Sequence, residues 1–122
     1  MPSDVVRRIG ASTLAEIEVP MLYAVILKYV RPIEEVRAHL DTHRDWLVEH
    51  TKKGRILVAG PLDDNSGGAI ISHCKDRAEL DEMLASDSFT VHRLVDHEIR
   101  GFTGAMRAEA FSSTWAPEAK PV

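Results

Sequence analysis

The sequence predicts one α+β domain with the element order β-α-β-β-α-β. A run of β-branched and aromatic residues follows Pro20, apolar residues at helical spacing follow Pro32, and two further apolar runs flank a turn-rich segment. Right-handed crossovers fold such a chain into a four-stranded antiparallel sheet with two helices on one face, the ferredoxin-like topology. The 122 residues suffice for one such domain and leave no room for a second.

The first strand and the first helix are predicted from residues 21–29 and 32–53. The strand has no polar alternation, which is typical of a strand buried on both faces. Pro32 suits the first turn of a helix, and Gly54 suits the position just after its end. Between them, spacings of three and four place the following residues on one helical face: Val36, Leu40, His43, Leu47 and His50.

The second half of the chain is predicted to form a hairpin, a second helix and a fourth strand. Strands are predicted at 55–62 and 69–74 around a turn at 63–68, which together form a hairpin. Asp76 and Glu79 resemble a capping box that begins a second helix, and the predicted buried face of that helix is Leu80, Met83 and Leu84. A fourth strand is predicted over 94–102.

The domain is predicted to span residues 21–104, with an arm at 1–20 and a tail at 105–122. The two helices cover only one face of the sheet, and the first strand is apolar on both faces. The sequence therefore predicts a homodimer in which the uncovered sheet faces meet.

Charge and composition exclude several classes of protein. The formal net charge is −4, and no cluster of Lys or Arg offers the basic patch that nucleic acids require. No apolar run approaches the ~20 residues that span a bilayer, and no signal peptide is evident. Cys74 is the single cysteine, so no internal disulfide forms. The default expectation is a cytoplasmic protein without nucleic-acid or membrane partners.

Two polar residues are candidates for chemistry. His43 lies on the apolar stripe of the first helix, so its imidazole points toward the sheet, and the alternative is a core histidine bonded to backbone. Asp87 follows the second helix, and the alternative is an N-cap for a turn over 88–92. Periodicity alone does not pair the two residues.

A metal site is a further alternative. His39 and His43 stand four residues apart on one side of a helix, and Asp87, His92 or His97 would have to supply a third ligand. No strict metal-binding spacing supports such a site, so we expect no metal.

A resemblance to a known family adds to these observations. The stretch from Gly54 to Pro61, GRILVAGP, closely resembles the G-R-L-L-x-A-G-P signature of the YCII-related (YciI-like) family, and His43 stands at the family's spacing before it. Residues 86–89 resemble the family's D-P-F/Y element, although Ser88 replaces the usual proline. The resemblance covers roughly residues 21–104.

The resemblance implies a dimeric α+β barrel in which His43 and Asp87 form a pair facing a pocket. One branch of the family is similar to a dehydrochlorinase that acts on a chlorinated hydroxyquinol, and related dimeric barrels include muconolactone isomerases. The expected activity is therefore a lyase or isomerase reaction without cofactor, on a phenolic, lactone or related cyclic small molecule. The residues expected to bind this substrate are Trp46, Gly60, Pro61 and Phe89.

A histidine paired with a carboxylate, without a serine or cysteine nucleophile, suits proton abstraction better than acyl transfer. Arg44 or Arg55 are candidates to hold an anionic group of the substrate, with solvated surface charges as the alternative. The alternative function is a non-catalytic module that binds a small ligand or a partner in the same pocket.

Overall fold

The computed structural model describes residues 21–122, and its centre is a four-stranded antiparallel sheet. The strands are β1 (Met21–Tyr29), β2 (Ile56–Pro61), β3 (Gly67–Cys74) and β4 (Val95–Phe102), in the spatial order β2-β3-β1-β4. The predicted α+β fold with this sheet is confirmed, and each predicted strand lies within two residues of its observed bounds.

The prediction of one continuous first helix is wrong. It consists of α1 (Ile33–Ala38) and α2 (Leu40–Lys52), which are separated at His39, where φ is −116° and ψ is 14°. The His39 carbonyl accepts hydrogen bonds from the Ser88 hydroxyl and from the His43 amide, and the Thr42 hydroxyl oxygen lies 3.0 Å from it. The Ser88 hydroxyl lies 49 positions further along the chain, so helical periodicity does not encode its contact with His39.

Two further helices follow the hairpin. Helix α3 (Arg77–Ala85) begins as predicted, because the Asp76 carboxylate accepts a hydrogen bond from the Glu79 amide at 2.9 Å. After a break, Asp87 caps a short helix, α4 (Ser88–Val91).

All four helices pack against one face of the sheet. Residues at alternate positions of β1 point into this core, namely Tyr23, Val25 and Leu27. They meet Val36, Trp46, Leu80, Met83, Leu84 and Phe89 from the helices, all of them 5 % exposed or less. The hydrophobic effect of this burial is what fixes the helices, and with them His43 and Asp87, over one end of the sheet.

The outer face of the sheet is covered at one end by the tail. Short strands β5 (Met106–Arg107) and β6 (Lys120–Pro121) pair in parallel, and Ala116 and Ala119 are buried against Leu22. Tail residues therefore share a small apolar cluster with the sheet.

In the described range of residues 21–122, no helix is both long and apolar enough to cross a membrane. The predicted arm at 1–20 lies outside the described residues, and the proposed domain boundaries stay predictions.

Candidate active site

The imidazole of His43 contacts the carboxylate of Asp87 directly. His43 Nδ1 lies 2.7 Å from Asp87 Oδ1, although the two residues are 44 positions apart in the sequence. Helix α2 presents His43 toward the sheet, and the start of α4 brings Asp87 beside it. The distance is typical of a charge-assisted hydrogen bond, with Nδ1–H as the donor and the carboxylate as the acceptor.

Asp87 also caps helix α4. The same oxygen that contacts His43 accepts a hydrogen bond from the Phe89 amide at 3.1 Å, and the side chain is 0 % exposed. The second carboxylate oxygen is buried and has no partner among residues 21–122. A buried carboxylate with so few donors is stabilised by the hydrogen bond that it accepts from His43 Nδ1.

Aromatic rings fix the plane of the imidazole. The ring of Phe89 lies parallel to that of His43, with centroids 3.8 Å apart and an angle of 5° between the planes. The Trp46 ring is 5.7 Å away at 26°. Together with the Asp87 contact, this stacking leaves the imidazole one orientation, with Nε2 as its free nitrogen.

His43 opens into a cleft of about 310 Å³ between helix α2 and strands β1, β2 and β3. The side chain of His43 is 12 % exposed, and Nε2 is neither bonded nor among the buried unpartnered atoms of the described residues. The remaining lining is mostly apolar: Leu27, Tyr29, Leu40, Arg44, Leu47, Ala59, Gly60, Pro61, Gly67, Gly68, Ala69, Ile70 and Phe89. This volume is at the lower end for small-molecule pockets and fits a single ring.

Of the residues expected to bind substrate, Gly60, Pro61 and Phe89 line the cleft. Trp46 does not line it, because its ring is 5 % exposed and its indole N–H donates to the Met83 carbonyl and the Ser86 hydroxyl, each at 3.0 Å. Trp46 therefore packs behind His43 instead of facing the cleft.

A second hollow lies at the other end of helix α2. Its lining includes Trp46, His50 and Arg55 together with three carboxylates, which belong to Asp45, Glu49 and Glu82. His50 is 5 % exposed and its Nδ1 has no partner among residues 21–122. Burial lowers the pKa of His50 below its ordinary value.

The other candidate groups lie outside the cleft of His43. His39 stacks on His92 at 3.8 Å, and residues 21–122 contain no cluster of three ligands that could hold a metal. Cys74 is 1 % exposed, and burial raises the pKa of its thiol, which keeps the thiol protonated and unreactive. His97 contacts the Thr90 hydroxyl at 3.1 Å, and burial lowers its pKa despite the negative charge of Asp87.

Two features of the site escape the sequence prediction. The first is Tyr29, which lines the cleft. Its position could have been predicted from the alternation of β1, because every second residue of this strand faces the helices. The second is a hydrogen-bonded link in which Thr42 donates to Ser88 at 2.8 Å and Ser88 donates to the His39 carbonyl at 3.2 Å. This link ties the start of α4, and so Asp87, to helix α2.

The arrangement can carry out proton transfer. A proton on Nδ1 that is donated to Asp87 leaves the lone pair on Nε2, the nitrogen that can then accept a proton. Serine and threonine hydroxyls are absent from the cleft lining within residues 21–122, so no hydroxyl of that kind stands beside His43 as a nucleophile.

Comparisons with known proteins identify the family and the fold of the chain. The family described as YCII-related domain matches residues 21–102. No curated protein matches the chain. A similar solved structure is 5-chloro-2-hydroxyhydroquinone dehydrochlorinase from Burkholderia phenoliruptrix in complex with 2,5-dihydroxybenzoquinone, with 21% identity and a TM-score of 0.53. The match covers 68% of this chain and 94% of that chain, and at this identity it shows a shared fold.

Proposed function

The chain belongs to the YCII-related domain family, and we propose that it is a small-molecule enzyme of the lyase or isomerase type in which His43 is the general acid/base. The observation that carries the proposal is the 2.7 Å contact between His43 Nδ1 and Asp87 Oδ1 beside an apolar cleft. The contact leaves one basic nitrogen, Nε2, open to a bound molecule.

In the proposed elimination, His43 Nε2 takes a proton from a carbon or hydroxyl of a ring compound. The electron pair of the broken bond forms a new double bond, and the leaving group, such as chloride, departs with its own bonding pair. Asp87 stabilises the imidazolium until its proton returns to solvent. In an isomerisation, the imidazolium instead returns the proton to another atom of the same molecule. Neither reaction requires an oxidant, a metal or a cofactor.

The substrate class is proposed from the shape of the cleft and from the similar structure. A volume of about 310 Å³ with apolar walls suits one ring with few polar substituents. The similar solved structure is titled as a dehydrochlorinase bound to a dihydroxybenzoquinone, a compound of this size and class. We therefore propose a phenolic, lactone or related cyclic substrate, in a cytoplasmic protein.

A turnover screen tests the proposal. Chlorinated phenols, lactones and cyclic keto acids are offered to the purified protein, and chloride release and product formation are measured. We expect at least one compound to be converted by the wild type and not by His43→Asn. Saturable ligand binding by a properly folded protein that converts none of these compounds would overturn the proposal and favour the alternative, a non-catalytic ligand-binding module.

We also propose that two copies assemble through their outer sheet faces. Register places Ala24, Ile26, Val58, Ala69 and Ile71 on this face, and Val58 is 60 % exposed. A standard interface of about 1,200–2,000 Å² would cover these side chains. Light scattering should return a dimer for the wild type and a monomer for Ile71→Glu, whereas a wild-type monomer at micromolar concentration would contradict the assembly.

A further inference from the structure

Arg44 stands at the edge of the cleft, directly after His43 in the sequence. It lies on the face of α2 that also carries Leu40, His43 and Leu47. All four residues line the cleft. Arg44 is exposed, and its guanidinium has no carboxylate in salt-bridge contact among residues 21–122. Its positive charge is therefore available to a bound molecule.

The rest of the cleft does not neutralise this charge. Within the described part of the chain, the lining contains neither aspartate nor glutamate, and Asp87 lies behind His43 with 0 % exposure. The other ionisable groups of the lining are His43 itself and the Tyr29 hydroxyl. A guanidinium at the edge of an apolar cleft is suited to a planar anion, which it can hold through two parallel hydrogen bonds.

The second arginine considered from the sequence has a different environment. Arg55 lies 3.7 Å from the Glu79 carboxylate and lines the hollow around His50, not the cleft of His43. The two arginines thus form a natural pair of test and control.

We propose that Arg44 binds an anionic oxygen substituent, a carboxylate or a phenolate, on the ring compound that reacts at His43. This inference rests on the proposed function, because it names the charge of the substrate of that same site. The bound anion would lie near His43 and would also stabilise the imidazolium that forms when Nε2 accepts a proton. The substrate class narrows to small rings that carry a negative charge.

Binding of benzoate and benzamide tests this inference, because the two compounds share a shape and differ in charge. We expect the wild type to bind benzoate more tightly than benzamide, with an affinity for benzoate that falls as salt is added. Arg44→Gln should weaken benzoate binding by about 10- to 100-fold, as expected for a lost hydrogen bond to a charged group. Arg44→Gln should leave benzamide binding unchanged, and Arg55→Gln should leave both unchanged.

Four results would overturn the inference. For the wild type, they are equal affinity for benzoate and benzamide, or no measurable binding of benzoate. For Arg44→Gln, they are an unchanged affinity for benzoate, or an equal loss of affinity for both compounds. Melting temperatures are measured for each variant as the control for folding.

Failure of the proposed function gives a different pattern. Benzoate binding that depends on Arg44, in a protein that converts no compound, would retain the anion site and reject the enzyme. Turnover that is lost in His43→Asn but unaffected in Arg44→Gln, for every charged substrate, would retain the enzyme and reject the anion site.

Discussion

His43 and His50 lie seven residues apart on the same inward face of helix α2, yet their surroundings differ. His43 meets the Asp87 carboxylate at 2.7 Å and opens into the cleft. His50 is 5 % exposed, its Nδ1 has no partner among residues 21–122, and burial lowers its pKa. One imidazole is hydrogen-bonded to a carboxylate, whereas burial disfavours the protonated form of the other.

The comparison shows that the opposing side chain decides the hydrogen bonding of an inward-facing histidine. Both histidines satisfy the same helical pattern, and both neighbour the Trp46 ring, at 5.7 Å and 5.4 Å between centroids. Only at the His43 end does a second helix begin with a carboxylate directed at the imidazole. The partner, and not the position in the helix, separates the two sites.

Substitution of Asp87 should give the largest effect, because it makes the surroundings of His43 resemble those of His50. One oxygen of Asp87 contacts both the Phe89 amide and His43 Nδ1, so the amide oxygen of Asp87→Asn can keep both hydrogen bonds. The variant therefore removes the negative charge that would stabilise a protonated His43 during turnover, while the cap and the contact remain. We expect turnover to fall by about 10²–10⁴-fold in a steady-state assay.

The melting temperature of Asp87→Asn should change little, because asparagine caps helices as well as aspartate does. Asp87→Ala is the matched control, since it removes the cap as well and should lower the free energy of unfolding by about 0.5–2 kcal/mol. Wild-type turnover in Asp87→Asn would contradict the role given to the carboxylate.

The link through Ser88 offers a smaller test. Its hydroxyl accepts from Thr42 at 2.8 Å and donates to the His39 carbonyl at 3.2 Å, so Ser88→Ala should lower the free energy of unfolding by about 0.5–1.5 kcal/mol.

The backbone of Asp87, with ψ of 133°, already suits a following proline, and position 88 is the first of α4. Ser88→Pro should therefore fold, and urea titrations compare the variants. A Ser88→Pro variant that does not fold would show that the backbone turn between Asp87 and α4 depends on serine.

The smallest effect concerns pH and the His50 end of the helix. The pKa of His50 is lowered from 6.5 by burial, so below this pH the unfolded chain takes up the proton before the folded one. The free energy of unfolding should therefore fall as the pH drops from about 7 to about 5, with His73 and His97 contributing in the same direction. Urea titrations at several pH values should show that the free energy of unfolding of His50→Asn depends less on pH than that of the wild type. An unchanged dependence on pH would contradict the lowered pKa of His50.

Local patterns predicted the strands and the cap of α3, because short apolar runs, turn residues and capping residues act over a few positions. The break at His39 and the burial of Ala116 and Ala119 against Leu22 were beyond such patterns, since each depends on contacts between distant segments. The tail looked aperiodic because only a few of its residues touch the sheet.

For the candidate site too, local patterns predicted single residues, and contacts between distant segments were beyond them. Periodicity placed His43 on the inward face but gave no reason to pair it with a residue 44 positions away, and the family resemblance supplied the pairing of His43 with Asp87. The N-cap considered as an alternative for Asp87 is present together with the His43 contact, because one carboxylate oxygen serves both. The choice between a structural and a functional role was therefore not exclusive.

The most direct test compares His43→Asn with His50→Asn in one set of measurements of turnover and melting temperature. Asparagine at position 43 retains an N–H donor for the Asp87 carboxylate but cannot transfer a proton, so we expect turnover to fall by about 10²–10⁴-fold with little change in melting temperature. His50→Asn should keep wild-type turnover per folded molecule. Intact turnover in folded His43→Asn, or an equal loss in both variants, would contradict the account.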